Sequence, residues 1–250
     1  MVIDTSLDFS KDTPGYPKRD PDRVNPRLRE YHRLLWSKPL PDGRVFTLHS
    51  GVRGHYLYYD SGVETFSLAS DSAVPTFTRW GFAKDHPELV GNNLNAEFFS
   101  KAYTIGGMML FPGNQITRGA WTINQARGCL RRTIADRLDL TVECIRRHYL
   151  RMDDPSRLGI TLDRYRSFFG LFGSFKGYVE FFLLQDLVSS DYSSVKVFPP
   201  FDNFKSSAVP NDLATYLDFR RRSIEFLDAR NRRIERYVAQ HSSSPTPKSS

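Results

Sequence analysis

Cysteine is nearly absent: the 250 residues hold two, Cys129 and Cys144. They form no CxxC pair and have no clustered histidines beside them, which excludes a disulfide framework and a zinc site of ordinary spacing. Both are expected to be buried, reduced thiols. Long apolar runs are also missing. The longest, Phe168 to Val188, is broken by Lys176, Glu180, Gln185 and Asp186, which would be costly in a bilayer. No basic and then apolar leader opens the chain, since Met1 to Asp22 is polar and carries Pro14, Pro17 and Pro21. The expectation is a cytoplasmic protein with no membrane contact. The familiar local motifs are absent too: no GxxxxGK[ST], GxGxxG after a strand, HExxH, GxSxG or EF-hand loop. No metal and no cofactor is expected, and the sequence leaves open whether the chain is an enzyme.

What is present is the composition of a folded protein. The chain is 40% hydrophobic and 14% aromatic, with 19 Phe and 12 Tyr, so the core is expected to be built on rings. A length of 250 residues allows one large body that buries most of its apolar surface without staples. The net charge of +7 fits an anionic partner, and equally fits simple solubility.

Residues 1–24 read as an irregular arm, lying across the body through Phe9 and Tyr16. Asn25-Pro26 signals a helix start, with Leu28, Tyr31, His32, Leu35 and Trp36 on one face. From Arg44 to Leu68 short β-rich runs around a Ser61-Gly62 turn predict a meander of two or three antiparallel strands. Phe77, Trp80 and Phe82 are expected to cap the core from a loop, and Pro87 to start a helix reaching Ala102. Tyr103–Phe111 reads as a strand whose Gly106 and Gly107 mark a bulge or a close backbone approach. Thr122 to Gln125 has capping-box spacing, so a helix starts at Ile123, with Ala126, Leu130, Ile134 and Leu138 in its stripe and a continuation through Val142, Ile145 and Tyr149. Helices are predicted over 161–172 and 175–188, where Phe168, Phe172, Phe175, Val179 and Phe182 form a stripe that needs burial. A short strand is expected at Val195–Phe198. Asn211 caps a final helix to about Gln240, in which Leu213, Leu217, Arg220, Ile224, Leu227, Asn231, Ile234 and Val238 keep four-three spacing. The fold class expected is α+β: a predominantly helical single domain over 25–241, with a small antiparallel sheet, a long C-terminal helix and a disordered 242–250 tail.

Candidate chemistry concentrates in two places. Gly106 and Gly107 set against a helix start bearing Asn124 and Arg127, with Asp136, Glu143 and Arg146 further on, make a candidate anion- or ligand-binding site, because backbone donors converge at a helix N-terminus. The competing reading is that Arg132/Asp136 and Glu143/Arg147 are ordinary i,i+4 pairs worth about 0.3–0.5 kcal/mol each. On the last helix Arg220, Arg221, Arg230, Arg233 and Arg236 are expected to face nucleic acid, with RNA or DNA as the partner and binding that weakens with salt. The thin apolar stripe across 228–241 is a second candidate surface, for a protein partner. Arg followed by His at four to six residues, the spacing of small helical ribonucleases, occurs at Arg27/His32, Arg44/His49, Arg79/His86 and Arg236/His241, no excess for so arginine-rich a chain. Asp22, Glu30 and Lys38 loosely match a metal-nuclease set but sit on a loop, a helix and a Pro turn. His55-Tyr56 and Tyr58-Tyr59 beside Arg53 are the better candidate for a stacked ligand.

The blocks YTIGGMMLFPGN, TINQARG, IADRLDLTVECIRRHY and GYVEFFLLQDLV resemble an uncharacterised family of bacterial, especially actinobacterial, and phage-associated proteins of unknown function. The resemblance extends from Asp8 to the RRSIEFLDARNRRI block at Arg221. It implies a cytosolic, single-domain protein of bacterial or viral source, and carries over no activity and no site residue. The leading functional expectation is therefore a nucleic-acid-facing accessory protein. The alternatives are an enzyme acting on a phosphate-bearing small molecule or RNA, and a protein-interaction partner.

Overall fold

A computed structural model describes residues 3–51, 56–72, 85–113, 120–128 and 134–241. Arg53, His55, Phe77, Arg79, Trp80, Phe82, Cys129, Leu130, Arg132 and the 242–250 tail lie outside them. The N-terminal arm is more regular than its prolines predict. It holds two single turns, α1 (Phe9–Asp12) and α2 (Pro21–Val24), capped by Asp8 and Asp20. Phe9 is fully buried, edge-on to Tyr31 at 5.6 Å. Helix α3 (Pro26–Trp36) starts as its residues dictate: Asn25 Oδ1 accepts the Leu28 N–H at 2.9 Å, and Pro26 fills the position whose N–H needs no partner.

Three strands form an antiparallel sheet in the order β1 (Leu57–Asp60), β2 (Thr65–Ser72), β3 (Met108–Pro112). The 44–48 run contributes no strand. Around it are only isolated bridges, Pro39 to Val45 and His49 to Tyr58. Leu57 pairs with Leu68, Leu68 with Pro112 and Ser72 with Met108. Because alternate strand residues share a face, Phe66, Leu68 and Ser70 point one way while Ala69 and Asp71 point the other, beside Phe111. The strand expected from Tyr103 begins only at Met108, since Ile105–Gly107 form a 3-10 turn. The close approach expected there is real: a methyl added at Gly106 would collide with the Asn231 side chain, and one at Gly107 with the Ala102 carbonyl.

Several predicted helices are divided. Pro87–Leu89 is a 3-10 turn, Gly91 takes φ +75°, and α4 (Asn93–Ala102) restarts under an Asn92 cap. Helix α5 (Ile123–Arg127) has the Thr122/Gln125 capping box but ends at Gly128, and left-handed Ala135 and Asp136 precede α6 (Leu138–Leu150). The region after it forms α7 (Arg157–Arg164), α8 (Arg166–Gly170), α9 (Phe175–Phe181) and a 3-10 turn at Gln185–Leu187. Phe168, Phe172, Phe175, Val179 and Phe182 are all buried, and Phe172 lies 5.0 Å from Phe181 and 5.3 Å from Phe182 between ring centroids. In place of a strand at 195–198 there is one bridge, Val188 to Val195. Helix α10 (Leu213–His241) is capped by Asp212, whose Oδ1 accepts the Thr215 N–H at 2.8 Å, in place of the expected Asn211. Among the described residues no helix is long and apolar enough to cross a membrane.

Arg137, fully buried, holds the segment before α10. Its guanidinium donates to the carbonyls of Phe198, Pro200 (2.7 Å) and Ala208 (2.9 Å) and to both oxygens of Asp139. Asp139 in turn accepts the Phe198 N–H at 2.7 Å. This use of five donors on fixed acceptors suits the planar fork of arginine.

Candidate functional site

The inward face of β2 ends on a hydroxyl. Ser70 follows Phe66 and Leu68 in the alternation and is buried with them, so its Oγ must find partners inside. It finds two. Ser70 donates to Asp22 Oδ1 at 3.0 Å and meets His32 Nε2 at 3.0 Å, while Trp36 Nε1 donates to His32 Nδ1 at 3.1 Å. The indole N–H can only donate, so Nδ1 is the acceptor and the hydrogen of the neutral ring sits on Nε2. The chain of donors therefore runs Trp36, His32, Ser70, Asp22. A nucleophilic serine needs its proton to pass to the histidine, and here the order is reversed. Burial, with the Arg230 cation, lowers the His32 pKa to about 3, which keeps the ring neutral.

Asp22 is the terminus of that chain and is itself buried, with Oδ2 accepting the Ser72 N–H at 3.2 Å. Burial, then the neighbouring Asp71 and Asp20 carboxylates, push its carboxyl far above the usual range, against the two serine hydrogen bonds that favour the anion. Beside it, the Arg29 guanidinium lies 4.7 Å over the Tyr56 ring. Among the described residues neither Arg29 Nε nor the Tyr56 hydroxyl, both buried, has an acceptor, and the phenol oxygen is itself hydrogen-bonded by Arg29. Burial raises the phenol's pKa, as does Asp22, while Arg29 acts the other way. Two orphaned donors next to a protonatable carboxyl make this corner of α2, α3, β1 and β2 the chemically unsatisfied part of the fold.

The opposite face of β2 carries the matching charge pair. Arg127, with no exposed surface, pairs with Asp71, donates through Nε to Thr141 Oγ1 at 2.9 Å and through Nη2 to the Asp136 carbonyl at 2.7 Å, and lies 4.7 Å over the Phe111 ring. The Asp136 N–H returns a 2.7 Å bond to the Arg127 carbonyl. The end of the central strand β2 is thus gripped on both faces by ionisable groups.

The residues expected to form one ligand site fall into three places. Arg127 and Asp136 meet, but around Asp71 and Thr141. Asn124, a turn earlier on α5, has a buried Oδ1 without a partner. Glu143 and Arg146 are bound to each other at 2.8 Å, with Arg147 on the same carboxylate at 2.7 Å. Gly106 and Gly107 pack against α10, where the Gly106 N–H donates to Asn231 Oδ1 at 2.8 Å. On α10, Arg220 and Arg230 are buried and do not face solvent at all. Arg220 stacks over Phe98 at 3.7 Å, and Arg230 bonds the Gly106, Met108 and Phe182 carbonyls. Arg221 pairs with Asp218 and Glu225, and Arg233 with Asp186 at 2.8 Å; Arg236 is exposed. The stripe across 228–241 is largely used within the chain: Ile234 is buried, and Tyr237 and Val238 pack on the core.

Of the metal-nuclease set, Glu30 pairs with Arg33 and Lys38 lies over Trp36, Phe181 and Tyr237, apart from Asp22. Among the described residues no three His, Cys, Asp or Glu side chains are grouped to hold a metal ion. The sequence did single out Tyr56 as a stacking residue; its cation is Arg29, brought across from α3. Ser70 lies beyond the Arg44–Leu68 run read as strands, and Asp22 is singled out only in the loose metal-nuclease set.

The architecture is that of an α+β protein in which helices dominate and a three-stranded antiparallel sheet carries a buried polar corner. The chain belongs to the family of unknown function DUF6994, whose family model matches residues 3–234. Comparison with curated proteins and with solved structures gives no match.

Proposed function

We propose that the protein binds and acts on a small phosphate-bearing molecule at the Asp22–Arg29–Tyr56 corner. The observation that carries this reading is the pair of buried donors, Arg29 Nε and the Tyr56 hydroxyl, left without acceptors among the described residues beside a carboxyl group whose pKa burial raises. An unpaired buried donor costs about 1–3 kcal/mol, and an oxyanion placed between the two would remove that cost. Asp22 in its protonated form adds a third donor and a proton for a leaving oxygen, the role of a general acid. The Trp36–His32–Ser70 chain supports Asp22 by fixing the direction of the Ser70 hydroxyl bond that reaches it.

The nucleic-acid reading centred on α10 has less support. Arg221, Arg222 and Arg233 are paired with carboxylates, so Arg232 and Arg236 are the exposed arginines of that helix without an ion pair among the described residues. The test is thermal shift with a panel of nucleoside mono-, di- and triphosphates and sugar phosphates. At least one should raise the melting temperature, by about 2.7 kcal/mol of stabilisation at a hundred times its Kd, and Arg29→Gln should abolish the response. A silent panel, or an Arg29→Gln variant that responds as the native protein does, overturns the reading.

A further inference from the structure

Away from that corner, the start of α5 and the outer face of α7 enclose a cleft of about 190 Å³ lined by Ala120, Trp121, Arg157, Ile160, Thr161 and Arg164. Its chemistry differs from every other basic surface described. The Arg157 guanidinium lies 4.3 Å over the Trp121 ring, and Arg164 Nη1 reaches the Trp121 carbonyl at 3.5 Å. Both arginines are exposed, and neither has a carboxylate partner among the described residues, unlike Arg221, Arg222 and Arg233 of α10. Ile160 stands between them in the chain, an apolar side chain 63% exposed.

We infer that this cleft is a platform for single-stranded nucleic acid, with Trp121 and the Arg157 plane stacking a base and Arg164 taking a phosphate. Stacking on an aromatic or guanidinium face needs a base that is not already paired and stacked in a duplex, so single strands are favoured over double strands. Arg157 and Arg164 are seven residues apart on one helix, about 10.5 Å along its axis, the rise of about three stacked nucleotides at 3.4 Å each. The apolar patch at Ile160 suits the edge of a stacked base and gives a free phosphate no reason to bind. The surface uses none of the groups in the Asp22 corner, so the two readings stand or fall separately.

The test is fluorescence anisotropy with a labelled oligouridine 12-mer, a duplex of equal length, and UMP as competitor. The single strand should bind more tightly than the duplex, and UMP should displace it poorly. Trp121→Ala should weaken binding roughly 5- to 150-fold, the range that loss of one stacked base gives. Arg164→Gln should lower the salt slope by about 0.7, the value for one phosphate contact on a single strand. Trp121 is half-buried, so Ile160→Glu serves as the second variant: it sits in solvent and places a negative charge in the cleft, and it too should weaken binding. Equal affinity for both strand forms, full displacement by UMP, or undiminished binding by Ile160→Glu would each overturn the proposal.

Discussion

Arg230 donates to the carbonyl of Gly106 at 2.8 Å, and the next residue on α10, Asn231, accepts the N–H of the same glycine at 2.8 Å. Two consecutive side chains of one helix therefore satisfy both polar groups of a residue more than a hundred positions earlier. The guanidinium has no carboxylate among its partners. Burial lowers its pKa to about 10, which leaves it charged at neutral pH. Arg230→Met keeps the bulk and removes the donors, leaving the Gly106, Met108 and Phe182 carbonyls without this partner. Loss of at least about 3 kcal/mol is expected in urea denaturation. A loss below about 1 kcal/mol would show that water replaces the guanidinium there.

His32 predicts a pH dependence of definite sign. Its folded pKa, about 3, lies below its unfolded value near 6.5, so the stability it contributes is complete above about pH 6.5 and is lost as pH falls toward 3. The slope from this group alone is about 1.4 kcal/mol per pH unit in that window. His32→Gln removes it.

Asp22 works in the opposite sense. Its folded pKa is raised, so its stabilising effect is present at low pH and is lost as pH rises from the ordinary carboxylate range toward the folded value. Between about pH 4 and 6.5 the two groups oppose each other. Stability curves of the variants should tilt apart: Asp22→Asn should gain stability with rising pH, and His32→Gln should lose it. Parallel curves would contradict the donor chain that joins them.

Arg137 predicts a local effect. Arg137→Met frees three carbonyls and the Asp139 carboxylate, and the segment they hold, 198–208, should become the first site of proteolytic cleavage under native conditions. Limited proteolysis with mass mapping checks this; cleavage first elsewhere in the chain would be the contrary result.

How much of this is visible in the sequence depends on the range of the bond concerned. The Asn25 cap and the Thr122/Gln125 box involve partners three residues apart, and both are present where their spacing places them. The phenylalanine stripe from 168 to 182 is visible because its periodicity is itself the cause of its burial. Arg220 and Asn231 stand in the four-three repeat of α10, and for Arg220 that position overrides the nucleic-acid-facing expectation its charge suggested. Arg230 lies outside the repeat and is buried by contacts to β3 and to Phe182 that no local pattern encodes. Ser70 is the clearest illegible case. Its role depends on the register that sets Leu68 against Pro112 and Ser72 against Met108, and on His32 arriving 38 positions earlier. The candidate site is therefore less readable than the fold, because its pairs other than Trp36–His32 are long-range while most helices announce themselves locally.

The Gly106 contact also sets an order of events during synthesis. Until α10 has left the ribosome, a nascent chain that already contains the 105–107 turn and β3 must leave the Gly106 N–H, and the carbonyls of Gly106 and Met108, to water. Gly106 is shaped for a helix that does not yet exist. The turn can reach its final state only after translation has passed residue 231, so the middle of this protein matures together with its last helix.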